Sequence, residues 1–384
     1  MQFKDVVGQQ EVKHKLIGMV NSGRVPHAMM LLGPEGNGNL TLALALAQYI
    51  QCENKMEDDS CGVCASCTKN HKFIHPDVHF TYPVVPKKSG DPPISTDYIT
   101  EWRSALAANP YMNVNEWLQS IQAENRQGNI TVRECHEIIK GMSLKTYESE
   151  YKIQIIWLAE FLKEAGNTLL KVIEEPPADT IFILIVENIE MVLNTIISRT
   201  QLIKAGAIDD EDIKQVLLKK FEMDENAARR IARIADGNFN AALSIADGQE
   251  SDNDKLLHRW LQCCFSLKLK PSAGNGQNLV DWIEEFAKIG RENQKIFLKY
   301  ALFFLRECAM VSFTGHSEKL EGEELKFATG LSKLLSAEQF GTIATIINQL
   351  YYHIERNANP KILFMSNSFK IASVFKNEEV EIGI

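Results

Sequence analysis

Five short apolar runs, rich in β-branched and aromatic residues, punctuate the first two hundred residues at 28–32, 78–82, 153–157, 181–186 and 201–204. Between them, 40–51, 132–142 and 165–174 carry apolar residues at helical spacing. This alternation predicts a mostly parallel α/β sheet. The segment 84–129 interrupts it. Rich in Pro, Gly and Asn, that segment predicts a surface insertion with one helix around 97–108.

After residue 205 the strand pattern stops. Three short helices are predicted at 210–221, 226–235 and 240–246, a helical domain the size of a lid. From 254 onward the pattern is helical, with Trp260, Phe265, Trp282, Phe286, Phe297, Leu302, Phe303 and Phe304 at helical spacing, as in a bundle. The expected domains are 1–205, 206–250 and 251–384. The 384 residues are 45% hydrophobic and 24% charged, which excludes a disordered or fibrous chain. Lys and Arg total 41 against 50 Asp and Glu, a net charge of −9, so the chain as a whole is not a cationic surface for phosphate backbones. No apolar stretch reaches the length of a bilayer span and the first ten residues carry no leader pattern, so a cytoplasmic location is expected.

The segment Leu31-Leu-Gly-Pro-Glu-Gly-Asn-Gly-Asn-Leu-Thr41 follows a predicted strand and opens a helix, the context of a phosphate-binding loop. Gly33, Gly36 and Gly38 let the backbone curl. The ionic groups are missing: Asn39 stands where a lysine would reach the β- and γ-phosphates, and Leu40 where a hydroxyl would hold Mg²⁺. Thr41 could supply the hydroxyl through a one-residue shift, but not the cation, so a loop kept for its turn is favoured over ATP binding. The run at 153–157 would end in an acidic pair in a working nucleotidase, yet Trp157 and Leu158 stand there. Nearby Glu160 is expected to be a solvated residue at a helix start. Arg199, after Ser198, reads by itself as an exposed arginine on a short loop.

Four of the eight cysteines, Cys52, Cys61, Cys64 and Cys67, fall within sixteen residues. Two C-x2-C steps and an eight-residue return loop offer four soft ligands to one metal, a pattern that fits structural zinc. An iron–sulfur cluster is the other soft-ligand choice, and no redox context accompanies it. His71, His75 and His79 lie close by, with His75 expected to pack or hydrogen-bond at a strand entrance. Cys135, Cys263, Cys264 and Cys308 are scattered through apolar or helical contexts.

Together these residues resemble the AAA+ clamp-loader family. The resemblance rests on Phe3-x-Asp-Val-Val-Gly-Gln9, His27-Ala28, Gly33-Pro-x-Gly-x-Gly38, the four cysteines and His75-Pro-Asp77. It continues through Asn167-x-Leu-Leu-Lys-x-x-Glu-Glu-Pro-Pro177, Thr195-Ile-x-Ser-Arg199 and Gly237-x-x-x-x-Ala-Leu243, and it reaches the last third in Asn357-x-Asn-Pro360. It implies an α/β AAA+ P-loop domain with a zinc knuckle, a small helical lid and an all-α collar. Against the family's ATPases, the losses at Asn39, Leu40, Trp157 and Leu158 are joined by Asn240, where the lid's sensor arginine would stand. The resemblance therefore implies a subunit that does not hydrolyse ATP, sits in a hetero-oligomeric ring with ATPase subunits and delta, and helps load the sliding clamp onto primer–template DNA. Arg199, with Ser198, would be its arginine finger into a neighbouring ATPase; Thr200 replaces the family's cysteine. Two other readings are a self-sufficient ATPase using Thr41 and Glu160, and a zinc-knuckle nucleic-acid binder, for which only Lys69, Lys72 and Phe73 are at hand.

Overall fold

The computed structural model describes residues 1–87, 91–123, 126–247, 253–269, 273–317, 319–320, 322–356 and 358–378. The chain divides into two compact units, Met1–Leu243 and Ser244–Ile384. In the first unit the predicted runs become β1 (Ala28–Leu32), β2 (Val78–Thr81), β3 (Lys152–Ile156), β4 (Thr180–Val186) and β5 (Gln201–Lys204). They form one parallel sheet in the order β2-β3-β4-β1-β5.

Strand side chains alternate between faces, and the residues sort accordingly. Met29, Leu31, Ile153, Ile155, Ile181, Ile183, Ile185 and Ile203 enter one core, while Ala28, Met30, Ile156, Phe182, Leu184 and Val186 enter the other. All seven residues of β4 are buried, which is why its sequence is apolar without interruption. The helix Asn39–Gln51 covers the first face and is buried at all thirteen positions. The helix Val132–Ser143 and the helical turns Ala159–Leu169 and Leu170–Glu174 cover the second.

The segment 84–129 is not a surface insertion. It contributes two helices, Ile99–Ala108 and Val114–Ser120, after a 3₁₀ turn at Ser95–Tyr98. Trp102 and Trp117 are fully buried in the first core, with Val84, Val85, Leu106 and Leu118 beside them. Trp102 stacks on Tyr82 at 4.0 Å and meets Trp117 edge-on at 5.1 Å. The Trp117 indole donates to the Pro83 carbonyl at 2.7 Å. Turn-forming residues set the segment's composition, but its aromatic side chains supply the apolar area that decides where it packs. Lys88, Ser89, Gly90, Glu124 and Asn125 of this segment lie outside the described residues.

Helices Asp210–Phe221 and Glu225–Ala235 and the start of Phe239–Ala246 complete the first unit. The second unit is helical among its described residues, with helices Asn253–Leu269, Ala273–Phe286, Arg291–Thr314, Gly322–Ser332, Ala337–Glu355 and Pro360–Phe375. Four of the expected aromatics form its centre, Trp260 stacking on Trp282 at 5.6 Å with Phe286 and Phe297 beside them, and Phe364, outside that expected set, joins them. Asn359 caps the last helix by accepting from the Lys361 amide at 2.9 Å, with Pro360 in its first turn. Asn357 lies outside the described residues.

Candidate functional site

The glycine loop sits where β1 hands over to Asn39–Gln51. Gly36 and Gly38 take positive φ, +72° and +91°, and a Cβ on Gly36 would overlap the Asn238 side chain. The loop's polar groups are bonded within the chain, and one backbone N–H that could meet a phosphate is already taken. Asn37 Oδ1 accepts the Asn39 N–H at 3.1 Å, while Asn37 Nδ2 donates to the Ala205 carbonyl at 3.0 Å. Asn39 is 4% exposed and its Nδ2 donates to the Gly33 carbonyl at 3.3 Å. Thr41, the alternative hydroxyl, donates to the Gly38 carbonyl at 2.7 Å inside the core.

Residues 238–240 and the segment 84–129 meet at the same loop. The Phe239 N–H donates to the Gly36 carbonyl at 3.0 Å, and Asn238 Nδ2 to Glu35 at 3.2 Å. Asn240 Nδ2 donates to both oxygens of Glu116 at 2.9 Å, and its Oδ1 accepts from Asn109 at 2.6 Å. Tyr111 packs its ring beside Gly38 and on Phe239, and its hydroxyl oxygen accepts the Val7 N–H at 2.8 Å. Asn109, Tyr111 and Glu116 escaped sequence reasoning because they lie in the segment read as a surface loop.

Trp157, where an acid would stand, packs at 5.2 Å against Trp102 of that segment. Trp157 and the buried segment are thus one packing arrangement. Glu160 is not solvated: it is 5% exposed, and its Oε1 accepts the N–H groups of Glu187 and Asn188 at 3.1 and 3.3 Å. The reason is that these amides leave the end of β4 just beside it. Burial raises its carboxyl above the ordinary carboxylate range, against the pull of those amides.

Arg199 follows the short helix Asn194–Ile197, and its side chain is 32% exposed. It is not a free surface arginine. Nε donates to Glu174 Oε2 at 2.7 Å and Nη1 to the Thr195 carbonyl at 3.1 Å. Ser198 Oγ donates to the same carbonyl at 3.2 Å.

Away from this region, the sulfur atoms of Cys52, Cys61, Cys64 and Cys67 all lie within 4.8 Å of one another, with Cys61 and Cys67 at 3.9 Å. Four thiolates ~2.3 Å from a tetrahedral metal lie ~3.8 Å apart, so the cluster fits a metal ion. Local geometry builds it: Cys52 ends Asn39–Gln51 and Cys64 caps the helix Ala65–His71, accepting the Cys67 N–H at 3.4 Å. The Val63 and Cys64 amides hold the Cys61 thiol down at about 6, favouring the thiolate a metal needs. Asp59 fastens the knuckle to the first residues by accepting the Phe3 and Lys4 N–H groups at 3.0 Å. His75 hydrogen-bonds as expected, its Nδ1 accepting the Asp77 N–H at 3.2 Å, and it stands outside the cluster.

A family model described as DNA polymerase III, delta subunit, matches residues 8–208. The DNA polymerase III subunit gamma of Buchnera aphidicola is 26% identical over 251 residues, covering 64% of this chain and 58% of the relative. The chain thus spans less than two thirds of that relative's length. The DNA polymerase III subunit delta' of Escherichia coli K12 is 25% identical over 339 residues, covering 88% of this chain and 80% of its own. A solved DNA polymerase III gamma subunit-related protein from Thermotoga maritima aligns over 95% of this chain and 99% of its own, at 12% identity and a TM-score of 0.39.

Proposed function

The chain belongs to the DNA polymerase III delta-subunit family of the clamp loader, and on that premise we propose that it is the non-hydrolysing delta-prime type subunit of that complex. It takes part in ATP-dependent loading of the sliding clamp onto primed DNA, with no ATPase or polymerase activity of its own. Residues 1–205 act as an AAA+ domain with a degenerate P-loop, 206–250 as its lid and 251–384 as the collar that joins a hetero-oligomeric ring with the ATPase subunits and delta. Contact with the clamp and primer–template DNA is made through that ring, in the cytoplasm. No helix among the described residues is long and apolar enough to cross a membrane.

The observation that carries the non-hydrolysing reading is the glycine loop bonded within the chain: Asn37 Oδ1 takes the Asn39 N–H, a donor a phosphate would otherwise meet, and the Asn39 side chain turns inward to the Gly33 carbonyl. A loop in this state has no cation to offer and would have to break its own hydrogen bonds to admit a nucleotide. Arg199 supplies what such a subunit can still contribute, a guanidinium that stabilises charge on a γ-phosphoryl held by its neighbour and needs no nucleotide of its own. The four cysteines hold zinc as a closed structural site with no open coordination position.

Two measurements test this. A fluorescent ATP analogue with Mg²⁺ should not bind the purified chain, which should carry about one zinc; tight binding would return the self-sufficient ATPase. Arg199→Ala should leave the subunit folded and assembled, while DNA-stimulated ATP hydrolysis by the reconstituted complex falls at least about tenfold. Unchanged hydrolysis would remove the finger assignment.

A further inference from the structure

Glu174 is the last residue of Leu170–Glu174, a helix seated on the fully buried Leu169 and Ile173 and stopped by Pro176 and Pro177. Its carboxylate is therefore presented from a rigid platform. It takes the Nε–H of Arg199, and the Thr195 carbonyl takes Nη1. Among the described residues nothing takes the Nη2 amino group. The guanidinium is thus held at its stem and left open at its far end.

The geometry points to Glu174 as the positioning residue for Arg199, holding the Nε side of the guanidinium so that Nη2 meets a phosphoryl oxygen of the nucleotide in the adjoining subunit. The assignment rests on the arginine-donating reading given above. Arginine has many rotamers, and an arm that searches them loses rate through misplacement; a carboxylate at the stem fixes the plane of the fork before the phosphoryl arrives. The pair is partly exposed, Glu174 at 56% and Arg199 at 32%, which leaves the open side of the fork reachable from outside the chain. Ser198 supports the arrangement by bonding the Thr195 carbonyl that Nη1 uses.

The test is steady-state ATP hydrolysis by the reconstituted complex on primed DNA. Glu174→Ala should lower kcat about threefold to tenfold with the KM for ATP unchanged. Glu174→Gln, whose amide oxygen accepts the same Nε–H, should recover most of the rate, and Glu174→Ala should add nothing in an Arg199→Ala background. If Arg199→Ala lowers hydrolysis and Glu174→Ala does not, the positioning role is wrong while the finger stands. If Glu174→Ala raises the rate, the carboxylate restrains the arginine, which also overturns the proposal. If Arg199→Ala changes nothing, the finger reading itself fails.

Discussion

One helix, Asn39–Gln51, has a ligand-type loop at each end, and the two ends have gone opposite ways. At its N-terminus the glycine loop bonds within the chain, Asn37 taking the Asn39 N–H, Asn39 the Gly33 carbonyl and Asn238 the Glu35 carboxylate. At its C-terminus Cys52 joins three more sulfurs whose protein partners are backbone amides and one another. The difference lies in what each donor set lacks. Amides satisfy one another at short range and can close a site from within, whereas four clustered sulfurs cannot all ionise until a cation sits among them, and burial holds the Cys52 and Cys67 thiols up. A polar site can fall silent by neutral substitution; a thiolate site keeps its need for a metal as long as its ligands stay.

Metal removal should expose that contrast most strongly. Chelation, or Cys64→Ser, should lower the thermal midpoint of the chain by about 10 °C or more and release the metal, read together by calorimetry and metal analysis; a metal content untouched by the substitution would break the comparison at its C-terminal end. Trp102→Ala comes next. It empties the junction between Tyr82, Trp117 and Trp157 and should cost about 3–5 kcal/mol in denaturant unfolding. Asn39→Lys probes the other end. Adding a cation alone should yield no measurable Mg²⁺-ATP binding by calorimetry, because Asn37, Asn238 and Phe239 still bond to the loop, and should cost several kcal/mol for an ammonium at a 4% exposed position. Tight binding by that variant would mean the lysine was the whole difference.

The smallest effect concerns Glu160. Burial lifts its folded pKa above the unfolded 4.5, so the folded chain holds a proton that the unfolded chain has already lost. Its contribution to stability is full below 4.5 and is lost as pH rises through the folded value. Glu160→Gln, which cannot ionise, should flatten that part of the stability–pH curve; an unchanged slope would show that the carboxyl titrates as it does in water.

The sheet was legible in the sequence because consecutive burial forces apolar runs, and all five strands fall within a residue or two of the expected positions. Asn39 was legible as a residue that brings no cation to the loop, and the structure adds that its amide turns inward to the Gly33 carbonyl. The insertion was not legible. Proline, glycine and asparagine mark where a backbone turns, and say nothing of what Trp102, Trp117 and Tyr111 pack on; three large aromatics in a polar stretch were the available signal. Glu160 was misjudged because its partners, the amides of Glu187 and Asn188, are brought near by the β3–β4 pairing and by nothing adjacent in sequence.

The pairing of β1 has a consequence for synthesis. Its neighbours are β4 and β5, so the strand that leads into the glycine loop waits for residues 180–204, and the Phe239 amide on Gly36 waits for some two hundred more than the loop itself. The cysteine knuckle needs only residues 52–67. On a ribosome adding residues from the N-terminus, the four cysteines can come together within seconds of their own translation, while the sheet stays open until residue 204 has emerged and the loop until Phe239 has. The knuckle is then an early anchor at the C-terminal end of a helix whose other end is the last part of the unit to settle.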